Sequence, residues 1–332
     1  MSSRHPSPGR SAPELEANFR PIVIVVLAGG TGAAKLIRGL AAVISPARLF
    51  VVGNTGDDLE WWGLHVSPDL DSITYALAGL LDPDRGWGRR DESFHCLEDM
   101  HCFGRETWFQ VGDRDLATHL HRTALLRHGA RLSAATRAIS EALGVTAHIA
   151  PMSDDPVRTE IETPAGWLSL QEFFVRARWQ PEVRRVEYAG ARVAKPAPGV
   201  LEAIEDAEAV VVGCSNPVTS VGPILAVPGI AEGLEKTRAP IVAVSPIVGG
   251  AAVSGPAGKL LLARGLAVSA TSVAEVYRPW LDALVLDRQD AHLGPDLERR
   301  GVHPVFADAL MPNSAAETAL ARATLAAAGV TP

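Results

Sequence analysis

A chain of 332 residues with a formal net charge of -7 lacks the positive surface that a nucleic-acid backbone or an anionic membrane demands of a main partner. Its 47% hydrophobic and 21% charged residues are those of a globular protein with one large or two ordinary domains. The cysteines, Cys96, Cys102 and Cys214, make no disulfide framework and fit a reducing cytoplasm, and no apolar run approaches the roughly eighteen residues needed to cross a bilayer.

The first twenty residues, rich in Ser, Pro and Arg without an apolar stretch, read as a disordered tail rather than a secretory signal. Ile22 to Leu27 is a continuous apolar run, the pattern of a strand buried on both faces of a parallel sheet. Gly29, Gly30 and Gly32, around Thr31, break it, and Ala33 to Val43 has a helix-forming composition. Such a turn aims free amides and the positive helix end at a phosphate, and Lys35 adds a point charge. The GGTG spacing matches neither GxGxxG nor GxxxxGK[ST], so neither a classical dinucleotide fold nor a kinase follows. Leu49 to Gly53 is the second predicted strand. It delivers Asn54, Thr55, Asp57 and Asp58 to its C-terminal edge, where open α/β sheets bind ligands. Acidic groups beside a phosphate cradle point to a magnesium ion shared with the phosphates; a simple capping turn is the alternative.

Ser67 or Asp69 caps a predicted helix in which Ile73, Leu77 and Leu80 keep helical spacing. Asp71 and Tyr75, four apart, share a face near its start, either as ligand contacts or as cap and core. In HCLEDMHC, the residues His95, Cys96, His101 and Cys102 miss the usual zinc spacings, which leaves two buried thiols and two helix-face histidines. Gly112 and Asp113 start a helix with Leu116, Leu120, Ala124 and Leu125 on an apolar face and Arg114, Asp115, His119 and Arg122 opposite. An arginine beside two aspartates suits a phosphate or a carboxylate; a solvated charged face is the alternative.

Ser133 to Gly144 reads as a helix and Val145 to Ala150 as a strand. After the polar turn of Ser153, Asp154 and Asp155, the alternation of Val157, Thr159, Ile161 and Thr163 with Pro164 to Gly166 reads as a hairpin. Ala209 to Gly213 is again a buried strand. After it, Ser215, Asn216, Thr219 and Ser220 offer hydroxyls and amides to a phosphate or ribose in a loop that Pro217 keeps from entering a helix directly. Pro240 to Ser245 is a strand before a second glycine-rich loop at Gly249, Gly250, Gly255 and Gly258. Leu284 to Leu286 and Val305 to Phe306 are late strands, and Ala315 to Ala328 is a closing helix. The pattern predicts an α/β doubly wound, mostly parallel sheet. It forms a single domain over residues 21–332, with a core of 21–60 and 190–332 and a largely helical insertion with a hairpin over 60–190.

Taken in order, GGTGAAKL, NTGDD, SPDLD with Tyr75, GDRDLATH with Arg122 and Thr123, PMSDD, SNPVTSVGPIL and SPIVGG resemble the 2-phospho-L-lactate transferase family. Its actinobacterial members are called phosphoenolpyruvate transferases, and the family builds the deazaflavin coenzyme F-420. The resemblance implies a Rossmann-like core and a magnesium-dependent transfer of a substituted phosphate group. A guanylylated phospho-acid, such as enolpyruvyl-diphospho-guanosine, gives its phospho-acid unit to the terminal ribityl hydroxyl of the deazaflavin Fo and releases GMP. By the same resemblance, Gly29, Gly30, Thr31 and Gly32 with the Ser215 to Ser220 loop hold the guanosine diphosphate portion. Asp57 and Asp71 hold magnesium, Asp71 also lies near the Fo hydroxyl, and Arg114 and Asp115 organise donor or acceptor. Gln110 departs from the basic residue that archaeal members tend to carry there, and Cys214 stands where proline is usual. A cytoplasmic homodimer is the expected setting. The alternative is a non-catalytic regulator that binds a nucleotide-sugar or dinucleotide on the same core, against which the GDRD and PDLD segments argue. A nicotinamide oxidoreductase is weaker still, for want of a complete GxGxxG.

Overall fold

The structure, a computed structural model, describes residues 23–331; the tail read from the sequence lies outside them. Seven strands make one parallel sheet. Numbered along the chain they are β1 (Ile24–Ala28), β2 (Leu49–Gly53), β3 (His148–Pro151), β4 (Ala209–Val212), β5 (Ile241–Val244), β6 (Ala283–Asp287) and β7 (His303–Ala307). Their spatial order is β7-β6-β5-β4-β1-β2-β3. A parallel sheet needs crossover connections that cover both faces, so its inner strands must be apolar on both sides. β1 shows this directly: Val25 and Leu27 enter the core on one face, and Ile24, Val26 and Ala28 the core on the other.

The chain runs outward from β1 to β2 and β3, returns to β4 on the other side of β1, and then runs outward the opposite way. This Rossmann-like order places a switch point between the C-terminal ends of β1 and β4, where a crevice opens for ligands. β4 is in register with β1 from Ile24 opposite Ala209 to Leu27 opposite Val212, so Gly29 and the Cys214 to Ser220 loop flank that crevice.

One face is covered by α1 (Gly30–Val43), α2 (Pro68–Leu77) and the C-terminal helix Ser314–Ala327. Arg38 of α1 and the buried Glu317 form a two-pronged ion pair at 2.5 and 2.7 Å. The helices approach so closely at Gly39 that an added Cβ would overlap the Glu317 carbonyl. On the opposite face sits a three-stranded antiparallel sheet in the order Gly166–Ser169, Arg158–Thr163, Arg185–Ala189. Its Ile161 joins the core with Phe173 of the π-helical turn Glu172–Arg176. The hairpin turn falls where proline, alanine and glycine place it, with Thr163 Oγ1 donating to the Gly166 carbonyl at 2.8 Å. The strand expected near Val145 to Ala150 is β3, and it completes the edge of the main sheet beside β2.

Two expectations are overturned. Helix α3 (His95–Cys102) buries none of its residues: Cys102 is exposed and Cys96 only half-buried, because the helix lies on the surface rather than over the core. In α4 (Asp113–Arg127) the inward face is polar, with Asp115, Thr118, His119, Arg122 and Thr123 buried, while Leu120 is 52% exposed. The face that periodicity marks as apolar points away because the polar one must meet the acidic start of α2.

We expect Gly39→Ala to lower the urea-unfolding midpoint. The overlap with a backbone carbonyl cannot be relieved by a rotamer, so an overpacking cost of about 1–3 kcal/mol outweighs the roughly 1 kcal/mol gained in helix propensity.

Candidate active site

Where β1 passes into α1, Gly30 has a φ of +76°, a left-handed conformation that glycine adopts without a steric cost. Gly29 is needed for a different reason: a Cβ there would stand 2.5 Å from Asp69 Oδ2 and 2.8 Å from the Ser220 Cβ. The amides of this turn have partners within the chain. Gly30 N–H donates to Asp69 Oδ1 at 2.6 Å and Gly29 N–H to Ser215 Oγ at 3.2 Å. The turn thus holds a carboxylate at the positive end of α1. Gly32 serves close packing, since a Cβ there would lie 2.8 Å from the Cys214 carbonyl oxygen. The Cys214 thiol is pushed up to about 12 by burial and stays protonated at neutral pH.

Asn54, at the end of β2, ties the acidic turn to this cradle. Its backbone N–H donates to the Ala28 carbonyl, and its side-chain amide reaches Asp69 Oδ2 at 2.9 Å, the Thr219 carbonyl at 3.4 Å and Asp57 Oδ1 at 3.5 Å. Gln171 donates to Asp57 Oδ2 at 3.2 Å. Burial, then the charges of Asp69 and Asp58, hold the Asp57 carboxyl well above the usual carboxylate range. Burial lifts Asp69 to about 6 against the opposing hydrogen bonds from Asn54 and Gly30. Asp58 is also raised by burial, opposed by His65 at 3.0 Å and by the Ser67 hydroxyl at 2.8 Å.

The second acidic group is compensated differently. Arg122, 1% exposed, grips both oxygens of Asp71. His119 lies between carboxylates, its Nδ1 3.6 Å from Asp71 and its Nε2 3.5 Å from Asp115, and Nε2 has no hydrogen-bond partner. The Tyr75 hydroxyl lies 2.7 Å from both Asp115 Oδ1 and Thr118 Oγ1. Burial alone would raise Asp115, but the neighbouring His119 ring, the hydrogen bond from Tyr75 and the charge of Arg122 hold it low. Burial would likewise lower Arg122, yet Asp71 keeps it raised.

Both groups line one cavity of about 790 Å³ at the switch point. It brings together the sequence-predicted Gly29, Gly30, Thr31, Gly32, Lys35 and Asp57 with Asp71, Gln110, Asp115, Ser215, Asn216 and Ser220. Arg114 is not brought in. It lies on the exposed side of α4, where its amide is capped by Glu92 at 2.6 Å, and Arg122, two turns further on, is the arginine that meets Asp71. Asp69, read from the sequence as a helix cap, sits instead in the glycine turn. The aromatic wall was missed altogether: Trp108 and Phe109 line the cavity, as do Phe174 and Trp179. Their only sequence signal is the density of aromatics in segments without regular periodicity.

Two donor sets could hold a cation. Asp71, Asp115 and His119 each offer a ligand atom within 4.8 Å of the others, but Arg122 already neutralises Asp71 and an imidazole is foreign to magnesium. Asp57 and Asp69 are hard oxygen donors, buried close enough for their charges to repel and joined through Asn54, without a guanidinium or ammonium partner among the described residues. They fit magnesium better than the Asp57 and Asp71 pair expected from the resemblance.

An unfolded aspartate gives up its proton near pH 4, and folded Asp69 at about 6. Between these values the folded state binds more protons, so stability falls as pH rises through the window and the penalty is complete above it. Relative to Asp69→Asn, the metal-free wild type should gain about 1 kcal/mol on going from about pH 7.5 to about pH 5. Added magnesium should raise its Tm more at the higher pH, because cation and proton compete for the same oxygens. A wild-type-to-variant difference that does not move with pH would contradict this assignment.

The family described as 2-phospho-L-lactate transferase CofD matches residues 24–325. The 2-phospho-L-lactate transferase of Methanosarcina mazei is 44% identical over 288 residues, covering 87% of this chain and 94% of that protein. The phosphoenolpyruvate transferase of Streptomyces griseus is 42% identical over 308 residues, covering 91% of this chain and 97% of that protein. A crystal structure of a UPF0052 family member from Bacillus halodurans shares the fold with a TM-score of 0.61 at 18% identity, over 92% of this chain and 99% of that one. With the match spanning nearly all the described residues and the relatives' full length, the chain belongs to the 2-phospho-L-lactate transferase CofD family.

Proposed function

We propose that this chain is a transferase that moves a phospho-acid unit, enolpyruvyl or lactyl phosphate, from a guanylylated diphospho donor to the ribityl hydroxyl of the deazaflavin Fo, releasing GMP. The observation that carries the reading is a single cavity where the glycine turn, the buried carboxylates and an aromatic mouth meet. At its polar end, the first turn of α1, Lys35 and the Ser215 to Ser220 loop suit a diphosphate. At its mouth, Phe174 and Trp179 pack with ring centroids 5.1 Å apart, and Trp108 and Phe109 at 6.0 Å, faces fit for a flat heteroaromatic ring. The names borne by the relatives supply the two candidate acids.

Asp57 and Asp69 would hold magnesium, which when bound offsets charge on the diphosphate. The chain's own residues then position the reactants. The acceptor hydroxyl forms a bond to the phosphorus that bears the acid, the anhydride bond to GMP breaks, and the hydroxyl proton must be taken up. Asp71 is a poor acceptor because Arg122 claims both of its oxygens. His119 is better placed: Nε2 has no hydrogen-bond partner, and carboxylates on both sides stabilise the imidazolium that forms. The setting is a cytoplasmic homodimer. Among the described residues no helix is long and apolar enough to cross a membrane.

The test supplies purified protein with magnesium, Fo, GTP, a guanylyltransferase that makes the labile donor, and each phospho-acid in turn, read by mass spectrometry. A mass gain on Fo with one acid is expected, with Asp57→Asn and His119→Asn slower by about a hundredfold or more. No adduct with any acid, beside a working control transferase, would point instead to a non-catalytic binding protein.

A further inference from the structure

The proposed donor carries a carboxylate on the transferred acid as well as its diphosphate. A buried carboxylate needs a cation or several hydrogen-bond donors, and the Gly29 and Gly30 amides of the glycine turn are already held by Ser215 and Asp69. Among the described residues that line the cavity, Lys35 and Arg178 are the lysine and arginine. Lys35 belongs to the phosphate side, on the second turn of α1, where its Nζ also reaches the Met311 carbonyl at 3.4 Å.

Arg178 belongs to a strap that follows the hairpin. Leu170, Gln171, Phe174, Val175, Arg178 and Trp179 face the cavity with helix-like spacing. The strap is fixed at both ends. Gln171 holds Asp57 at 3.2 Å, and Lys259 Nζ donates to the carbonyls of Trp179, Gln180 and Pro181 at 2.6, 3.1 and 3.2 Å. Between these anchors Arg178 and Trp179 take consecutive left-handed conformations, with φ of +50° and +47°, which non-glycine residues adopt only when their surroundings impose it. Neighbouring Arg176 is paired with Glu106 at 3.1 Å, whereas the Arg178 guanidinium has no hydrogen bond or ion pair among the described residues. The strap thus presents an exposed, unpaired planar cation to the cavity from a fixed backbone.

We propose that Arg178 is a specificity-determining residue that pairs with the carboxylate of the transferred phospho-acid, an inference that rests on the transferase reading above. A guanidinium matches a carboxylate in a two-pronged arrangement that lysine cannot reproduce.

The test compares wild type, Arg178→Gln and Arg178→Lys on two donors: the guanosine diphosphate ester of whichever acid the wild type transfers, lactyl or enolpyruvyl, and the matching isopropyl or isopropenyl ester in which a methyl replaces the carboxylate. Arg178→Gln should lower kcat/KM on the carboxylate-bearing donor about tenfold to a hundredfold, mainly through KM, and leave the methyl-bearing donor within about twofold. Arg178→Lys should recover part of the loss. Equal losses on both donors would assign Arg178 to the strap's structure, and no loss on either would remove it from recognition; both outcomes overturn the inference alone. A wild type that transfers from neither the lactyl nor the enolpyruvyl donor would overturn the transferase reading, and this inference with it.

Discussion

The structure depends on how it compensates carboxylates gathered at one point. Asp57, Asp69, Asp71 and Asp115 are all buried around the C-terminal ends of β1 and β2, and an unpaired buried charge costs several kcal/mol even after the surroundings relax. Two solutions lie side by side. Asp71 and Asp115 receive Arg122 and His119 from α4 and the Tyr75 hydroxyl from α2 itself, with Arg122 as the permanent counter-charge. Asp57 and Asp69 receive only dipoles: the amides of Asn54 and Gln171 and the N-terminus of α1. The first pair is neutralised by the fold. The second waits for a proton or a cation.

The same requirement explains the inverted face of α4. Hydrophobic periodicity identifies the helix but assumes that its apolar stripe faces inward. Here the inward neighbour is the acidic start of α2, so Arg122 and His119 must be buried and Leu120 is left in solvent. Nothing within the helix ranks Arg114 above or below Arg122; only the position of Asp71 on another element does so. Asp69 is hidden in the same way. It lies in the first turn of α2, where an acid ordinarily serves its own helix, yet its carboxylate crosses to Gly30 at the start of α1. Local rules cannot see a helix terminus supplied by a residue thirty-nine positions away.

The parallel sheet was legible because burial on both faces leaves little choice of residue: the valine and isoleucine runs of β1, β2, β4 and β5 could be read directly, and the glycine turn marked the first crossover. The strap was not legible. Its left-handed residues are an arginine and a tryptophan, without the glycine that would announce them, and they are held by Lys259 from a later helix. The aromatic mouth was missed for a related reason, since Trp108 and Phe174 come from separate segments that meet only once the hairpin unit has packed on the sheet.

The chain's negative charge also takes on a definite meaning. Asp57 and Asp69 line the cavity without the counter-charge that Arg122 gives Asp71, so an anionic donor entering alone would meet their repulsion in a poorly screened space. On the transferase reading, the donor is best received together with its cation, which is attracted by Asp57 and Asp69 and turns their repulsion into coordination. The phosphates then lie between that cation and the first turn of α1, while the acid's carboxylate is left facing the strap. The uncompensated pair and the unpaired arginine are therefore parts of one arrangement: each is costly or idle in the free protein, and a ligand bearing both a diphosphate and a carboxylate satisfies them together.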